Sequence, residues 1–422
     1  MILDIDVKPG TSAADLPPSL AAYRRWSAGL EHFHRNAFRE AIPLLLDAAR
    51  LDSSFVSPVF WAGIAYSALG EPAKADSLLL AANRARDRLA PADRALLDAE
   101  LAENRGDWGG ALSAGRDAVR LAPRNSVATL NVSWNAMRTN HPSEAIKALS
   151  RFDPQRPPIL QYPPYWEVLT QAHHQLGDSV GELEAAERGR SLHPGYAPVL
   201  FAEARALAAL GRGADALRRL EELLDRPTDP FYTRGELIWL LGRELQEHGQ
   251  EDAARTAFAR ALRWYDARPA AERATPARRG RRAEVLYALA KWEEAREHFE
   301  SLWAERPGEP NPIGDKGGLG LSRLGEVDYL GYLGALAARR GDDAAARAAD
   351  SKLAELRQPH LLGRHTYWRA RIAALRGERD HAVMLLRESL LQGRTHLVLH
   401  AEADFASLRD VPEFQALARP RG

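Results

Sequence analysis

The sequence contains no cysteine. Disulfides, thiolate zinc sites and a cysteine nucleophile are therefore excluded, and the expected setting is a reducing, cytoplasmic one. Net charge is lacking too: 57 Lys+Arg balance 57 Asp+Glu. No global field draws the chain toward nucleic acid or an anionic membrane, and neither is an expected partner. Lysine is scarce, six against an abundance of arginine. Because Arg and Ala are spread along the whole chain, this points to codon bias rather than to a site. No run of about 18 apolar residues occurs, so no membrane span is expected. The N-terminus, "MILDIDVKPGTSAADLPPSLAAYRR", lacks the basic region and apolar core of a secretory signal.

What is present is a rhythm. In "AYSALGEPAKADSLLLAANRA" (65–85), apolar residues at helical spacing run up to Gly70 and resume after Pro72. Glycine adopts the left-handed conformation that ends a helix, and proline is tolerated at the start of the next. The stretch therefore predicts two helices with a short turn. The turn residue recurs as Asn36, Gly70, Gly106, Asn140, Gly177, Gly211, Gly249, Ala290, Gly341 and Gly377, at intervals from 34 to 51 residues. Five residues after nine of these turns stands an alanine: Ala41, Ala75, Ala111, Ala145, Ala216, Ala254, Ala295, Ala346 and Ala382; Glu182 is the exception. A small residue there lets two helices cross closely. One hairpin cannot bury its apolar face alone, whereas stacked hairpins bury a continuous core.

Period and small-residue positions resemble the tetratricopeptide repeat. The second repeat carries Gly63, Tyr66, Gly70, Ala75 and Ala82 on that family's spacing, and Pro123, Pro194 and Pro307 close several units, with Ser53 departing from the pattern in the first. The resemblance spans residues 20 to 392 and implies an all-α, right-handed α-solenoid of about ten helical hairpins. Residues 1–19 are read as an extension and 393–422 as a C-terminal cap. In the cap, Phe405, Leu408, Phe414 and Leu417 cover the last helix pair while Asp404, Arg409, Asp410 and Glu413 face water. The stretches 364–393 and 404–422 further resemble the ends of helical arrays attached to bacterial eukaryotic-like serine/threonine kinases and related signalling proteins. Such arrays usually follow an effector domain, and the effector is expected to be absent from this chain. Three stretches break the rhythm as loop insertions: 153–164, with five prolines; 266–282, polar and Arg-rich; and 305–325, rich in Gly and Pro.

Chemistry is sparse. "GDKGGLG" (314–320) lacks the spacing of either phosphate-binding glycine loop. His34-Arg35-Asn36 and Asp404-Phe405-Ala406 each have the wrong third residue for the kinase catalytic and metal-binding loops, and no other kinase part accompanies them. Adjacent His173 and His174 point to different faces of a helix, as do His32 and His34. His396 and His400 share a face only if their segment is helical, and H-E-x-x-H is absent. The histidines are read as surface or partly buried, and no metal, cofactor or catalytic residue is expected. Trp61, Trp108, Trp264, Trp292 and Trp303 lie at core spacings. The resemblance puts the first helix of each hairpin on a concave groove, where Trp134, Gln171, His174, Arg205, Trp239, Arg243 and Arg371 face inward. Aromatic and Arg side chains suit a peptide with acidic groups; the Lys and Asn clamps of the superfamily's chaperone-tail binders are not reproduced. The expected function is a non-catalytic scaffold that binds a protein or peptide segment in bacterial signalling. The alternatives are a regulatory or oligomerising array for a separate kinase- or cyclase-like effector and, more weakly, an enzyme with its site in the 305–325 loop. Oligomeric state and partner identity are not legible in the sequence.

Overall fold

The computed structural model describes residues 18–156, 159–224, 233–305, 324–358 and 360–421. Among the described residues there are helices, turns and connecting coil, and no strand. The chain divides into two compact units, Met1–Val132 with Asp153–Tyr162, and Ser133–Phe152 with Pro163–Gly422.

The first unit pairs α1 (Leu20–His34) with α2 (Phe38–Leu51), α3 (Ser57–Ala68) with α4 (Pro72–Arg84), and α5 (Pro91–Asn104) with α6 (Trp108–Leu121). The boundary falls inside α7 (Ser126–Arg138). In the second unit α7 leads into α8 (Pro142–Leu149), followed by α9 (Pro164–Leu176) with α10 (Ser179–Leu192), and α11 (Ala197–Ala209) with α12 (Gly213–Leu224). Next come α13 (Arg234–Glu247) with α14 (Glu251–Asp266), the single turn α15 (Ala270–Arg273), and α16 (Pro276–Ala288) with α17 (Trp292–Glu305). The last pairs are α18 (Glu326–Arg339) with α19 (Asp343–Glu355), and α20 (Arg364–Leu375) with α21 (Arg379–Leu391); α22 (Pro412–Ala418) ends the chain. Within each unit consecutive hairpins pack side by side, so the architecture is an all-α repeat stack.

All ten turn residues have positive φ, from 57° at Ala290 to 80° at Gly377. The nine alanines five residues downstream are at most 1% exposed, which is the close crossing that their size permits. A second small position, seven residues before each turn, was not singled out in the sequence apart from Gly63. It is occupied by Gly29, Gly63, Ala99, Ser133, Thr170, Ala204, Gly242, Ala283, Gly334 and Ala370. A Cβ on Gly29 or Gly63 would lie 2.8 Å from Leu45 Cδ2 or Leu79 Cδ2, respectively. Each hairpin is thus pinched from both helices, and large apolar side chains fill the space between neighbouring hairpins. Trp61 and Trp108 are buried, while Trp264, Trp292 and Trp303 pack half-buried against the cores.

Two expected loops differ. Residues 276–282 are not a break but the first turns of α16, capped by the Thr275 side chain. Their charge is tolerated because Arg281 turns inward onto Glu236 and Glu284, at 3.1 and 2.6 Å. The proline-rich connector holds a 3-10 turn at Ile159–Gln161 and delivers Pro164 as the first residue of α9. Residues 306–323, most of the Gly/Pro-rich insertion, lie outside the described residues.

Candidate binding groove

The first helices of the second unit's hairpins line a cavity of about 450 Å³. Of the residues expected to face inward, Gln171, His174, Arg205, Trp239, Arg243 and Arg371 border this cavity. Trp134 does not; it is half-buried on α7, with the Arg138 guanidinium 5.9 Å from its ring. The six are not an open row of side chains, because most are already partnered.

At one end, Glu182 occupies the register position that is alanine in the other nine hairpins. Its carboxylate is fully buried and accepts from Arg205 Nε at 2.6 Å, and it lies 3.1 Å from His174 Nδ1. Arg205 also donates to Gln171 Oε1 at 2.6 Å. Burial raises the Glu182 pKa, and Arg205 works against that rise. Burial, with the charge of Arg205, holds His174 well below the usual histidine range, so its ring is neutral. On its other edge His174 Nε2 lies 3.6 Å from Glu244 Oε1. The two adjacent histidines diverge as expected, since His173 turns outward onto Asp178 at 2.8 Å.

At the other end the lining is arginine and aromatic. Arg371 lies 3.8 Å over the Trp368 ring, and Arg243 lies 5.0 Å over Trp239. Arg339 Nε donates to Tyr287 Oη at 2.7 Å. Such stacked guanidiniums are held in position before any anion meets them.

The chain's own C-terminal segment runs through this space. Phe405, Leu408 and Phe414 pack on α20 and α21 as expected of a cap, and Arg409, Asp410 and Glu413 are exposed. Asp404 does not face water. It is 2% exposed and is gripped by Arg371 (2.8 and 2.7 Å), by Arg339 (2.5 Å) and by Tyr287 Oη (2.8 and 3.0 Å). Period and amphipathicity assign Asp404 to the polar face of a short cap, but that segment is a 3-10 turn and three donors from distant hairpins converge there. Burial works to raise the Asp404 pKa; Arg371 and Arg339 outweigh burial and hold the carboxyl below its usual range. Two residues earlier Glu402 meets Arg371 at 3.4 Å, Arg243 at 3.5 Å and Tyr367 Oη at 3.2 Å. Arg243 also donates to the Ala401 carbonyl at 2.5 Å.

The tail then returns to the start of the same unit. Asn140, the turn residue between α7 and α8, donates to the Arg419 carbonyl at 2.7 Å and accepts from the Arg421 amide at 2.7 Å. His396 contacts the Arg138 carbonyl at 3.2 Å. His396 and His400 share no face, because only His396–Val398 is helical and Ala401 has φ 53°. His400 instead meets the His174 ring edge-on, with centroids 4.6 Å apart. Sequence reading missed Glu244, Tyr287, Arg339 and the acidic pair of the tail. The one available signal was Glu182, the departure from the alanine register.

No protein-family model matches the chain, and no curated protein matches it either. Among solved structures, the chain is similar to yeast Tom70 at 13% identity, covering 94% of this chain and 98% of that one, with a TM-score of 0.43. It is also similar to a tetratricopeptide repeat protein from Parabacteroides merdae at 13% identity, covering 64% and 99%, with a TM-score of 0.39. A third is PilW, a type IV pilus biogenesis factor, at 16% identity, covering 49% and 94%, with a TM-score of 0.38. Likenesses of this size carry no argument about family, partner or activity.

Proposed function

We propose that the second unit is a non-catalytic binding scaffold of tetratricopeptide-like hairpins. Its groove takes a segment that is not α-helical and carries two acidic residues two positions apart. The observation that carries this reading is the clamp on Glu402 and Asp404 by Arg243, Arg339 and Arg371. Acidic side chains two apart in a segment that is not α-helical are what this arrangement of guanidiniums and tyrosine hydroxyls recognises. The tail is then an internal occupant, and access of a partner is conditional on its release. That conditionality favours a second, regulatory reading, in which the array controls a kinase- or cyclase-like effector carried by another protein. The bacterial signalling setting rests on the resemblance of residues 364–393 and 404–422 to kinase-attached arrays.

The test is a labelled peptide of residues 399–410 offered to the full chain and to the Glu402→Gln/Asp404→Asn variant. The peptide binds the variant more tightly than the wild type, and Arg243→Gln weakens that binding. Equal binding of a peptide with both acids neutralised defeats the reading. Light scattering over a range of concentrations tests whether tails exchange between copies.

A further inference from the structure

His174, Glu244 and His400 converge without hydrogen-bonding one another. His174 Nε2 lies 3.6 Å from Glu244 Oε1, and His400 Nε2 lies 3.8 Å from Glu244 Oε2. Both are too long for hydrogen bonds. Among the described residues no donor reaches Glu244 Oε2, although the residue is nine-tenths buried. One donor atom from each of the three residues falls within 4.8 Å of the others. Zinc bonds of about 2.0–2.2 Å at tetrahedral angles separate neighbouring ligand atoms by about 3.3–3.6 Å. The 3.6 Å spacing falls at the edge of that range and the 3.8 Å spacing, to the other carboxylate oxygen, lies 0.2 Å beyond it, so a small side-chain adjustment brings the three groups onto one ion.

We propose that His174, Glu244 and His400 bind a divalent transition metal ion of the Zn²⁺ class, with Glu182 as the outer partner of His174. Two imidazoles and one carboxylate suit such an ion and do not suit calcium or magnesium. Glu182, 3.1 Å from His174 Nδ1, sets that ring's tautomer so that Nε2 presents its lone pair. The Arg205 charge is matched by Glu182, so the charge of Glu244 remains for the ion. His174 and Glu244 stand on α9 and α13, whereas His400 belongs to the tail and its side chain is 44% exposed, which gives the ion a way in. A bound ion ties the tail to α9 and α13, beside Arg243 and two residues before the clamped Glu402. This holds whether or not the groove takes an external acidic segment.

The experiment uses tag-free, chelator-treated full-length protein titrated with Zn²⁺ by calorimetry, with hydrogen exchange of residues 396–402 measured in parallel. One ion binds per chain and raises protection of the tail. His400→Ala, at a half-exposed position, and Glu244→Gln each weaken binding at least about 10-fold, while His381→Asn leaves it unchanged. Circular dichroism without metal verifies that both variants remain folded. Absence of stoichiometric binding overturns the proposal, as does binding of equal strength in His400→Ala and Glu244→Gln. Unchanged tail exchange on metal binding overturns the tether.

Discussion

Replacing Asp404 with Asn removes one negative charge from between two arginines and leaves the side chain's size unchanged. The Asp404 side chain is fully buried, and its partners Arg371 and Arg339 are 6% and 24% exposed at the side chain. Two unit charges about 4 Å apart at an effective dielectric near 20 interact by about 4 kcal/mol, and removing one partner of a buried pair costs about 3–5 kcal/mol. Asn keeps one acceptor for Arg371 but turns an NH₂ toward Arg339 or Tyr287, so the lower figure, about 3 kcal/mol, applies. Repeat proteins open by parts, so the cost appears as local release of the tail rather than in a single melting temperature. Hydrogen exchange of residues 396–408 reads it directly, with protection falling about 100-fold for 3 kcal/mol. The pH dependence has a defined sign. The folded pKa of Asp404 is depressed. Its contribution is therefore complete above the unfolded value of about 3.9 and is lost as pH falls below it toward the folded pKa. The wild-type tail loosens in that acid window, and the Asn variant, already loose, shows no such step. A loss of protection under about 5-fold, equivalent to about 1 kcal/mol, with the acid step retained, would refute the reasoning.

Glu182→Ala restores the alanine register but strands Arg205 and His174, and it destabilises the second unit by about 3 kcal/mol in urea. Adding Arg205→Met recovers much of the loss, and strict additivity of the two changes argues against the pairing. Ala290→Gly relieves a left-handed alanine, φ 57°, and raises stability by about 1 kcal/mol, with no gain in urea midpoint as the contrary result. Gly63→Val drives a side chain into Leu79 and costs about 1–3 kcal/mol, read from the thermal unfolding of the first unit.

How far each level of the structure could be read in advance follows from the range of the forces involved. A left-handed turn residue and a small residue five positions later are local demands. They recur at every hairpin, and Asn36, Gly70 and Ala290 announce their role without knowledge of any neighbour. Placement of Gln171, His174, Arg205, Trp239, Arg243 and Arg371 along one cavity follows from the same register. What those side chains touch does not. Arg205 is fastened to Glu182 across 23 residues, and Arg371 to Asp404 across 33, and no periodicity encodes a pairing between hairpins. The Arg-rich stretch at 276–282 reads as a loop because the partners that neutralise Arg281 lie on α13 and further along α16.

By itself, then, the sequence determined the all-α hairpin stack, since turn conformation and helix-crossing distance are set within about forty residues. Only the tertiary structure decided that the tail enters the groove, that Asp404 is buried and ionised, and that His400 meets His174 and Glu244. Each of those results from charges brought together over distances along the chain at which amphipathic pattern carries no information, and burial then makes their pairing obligatory.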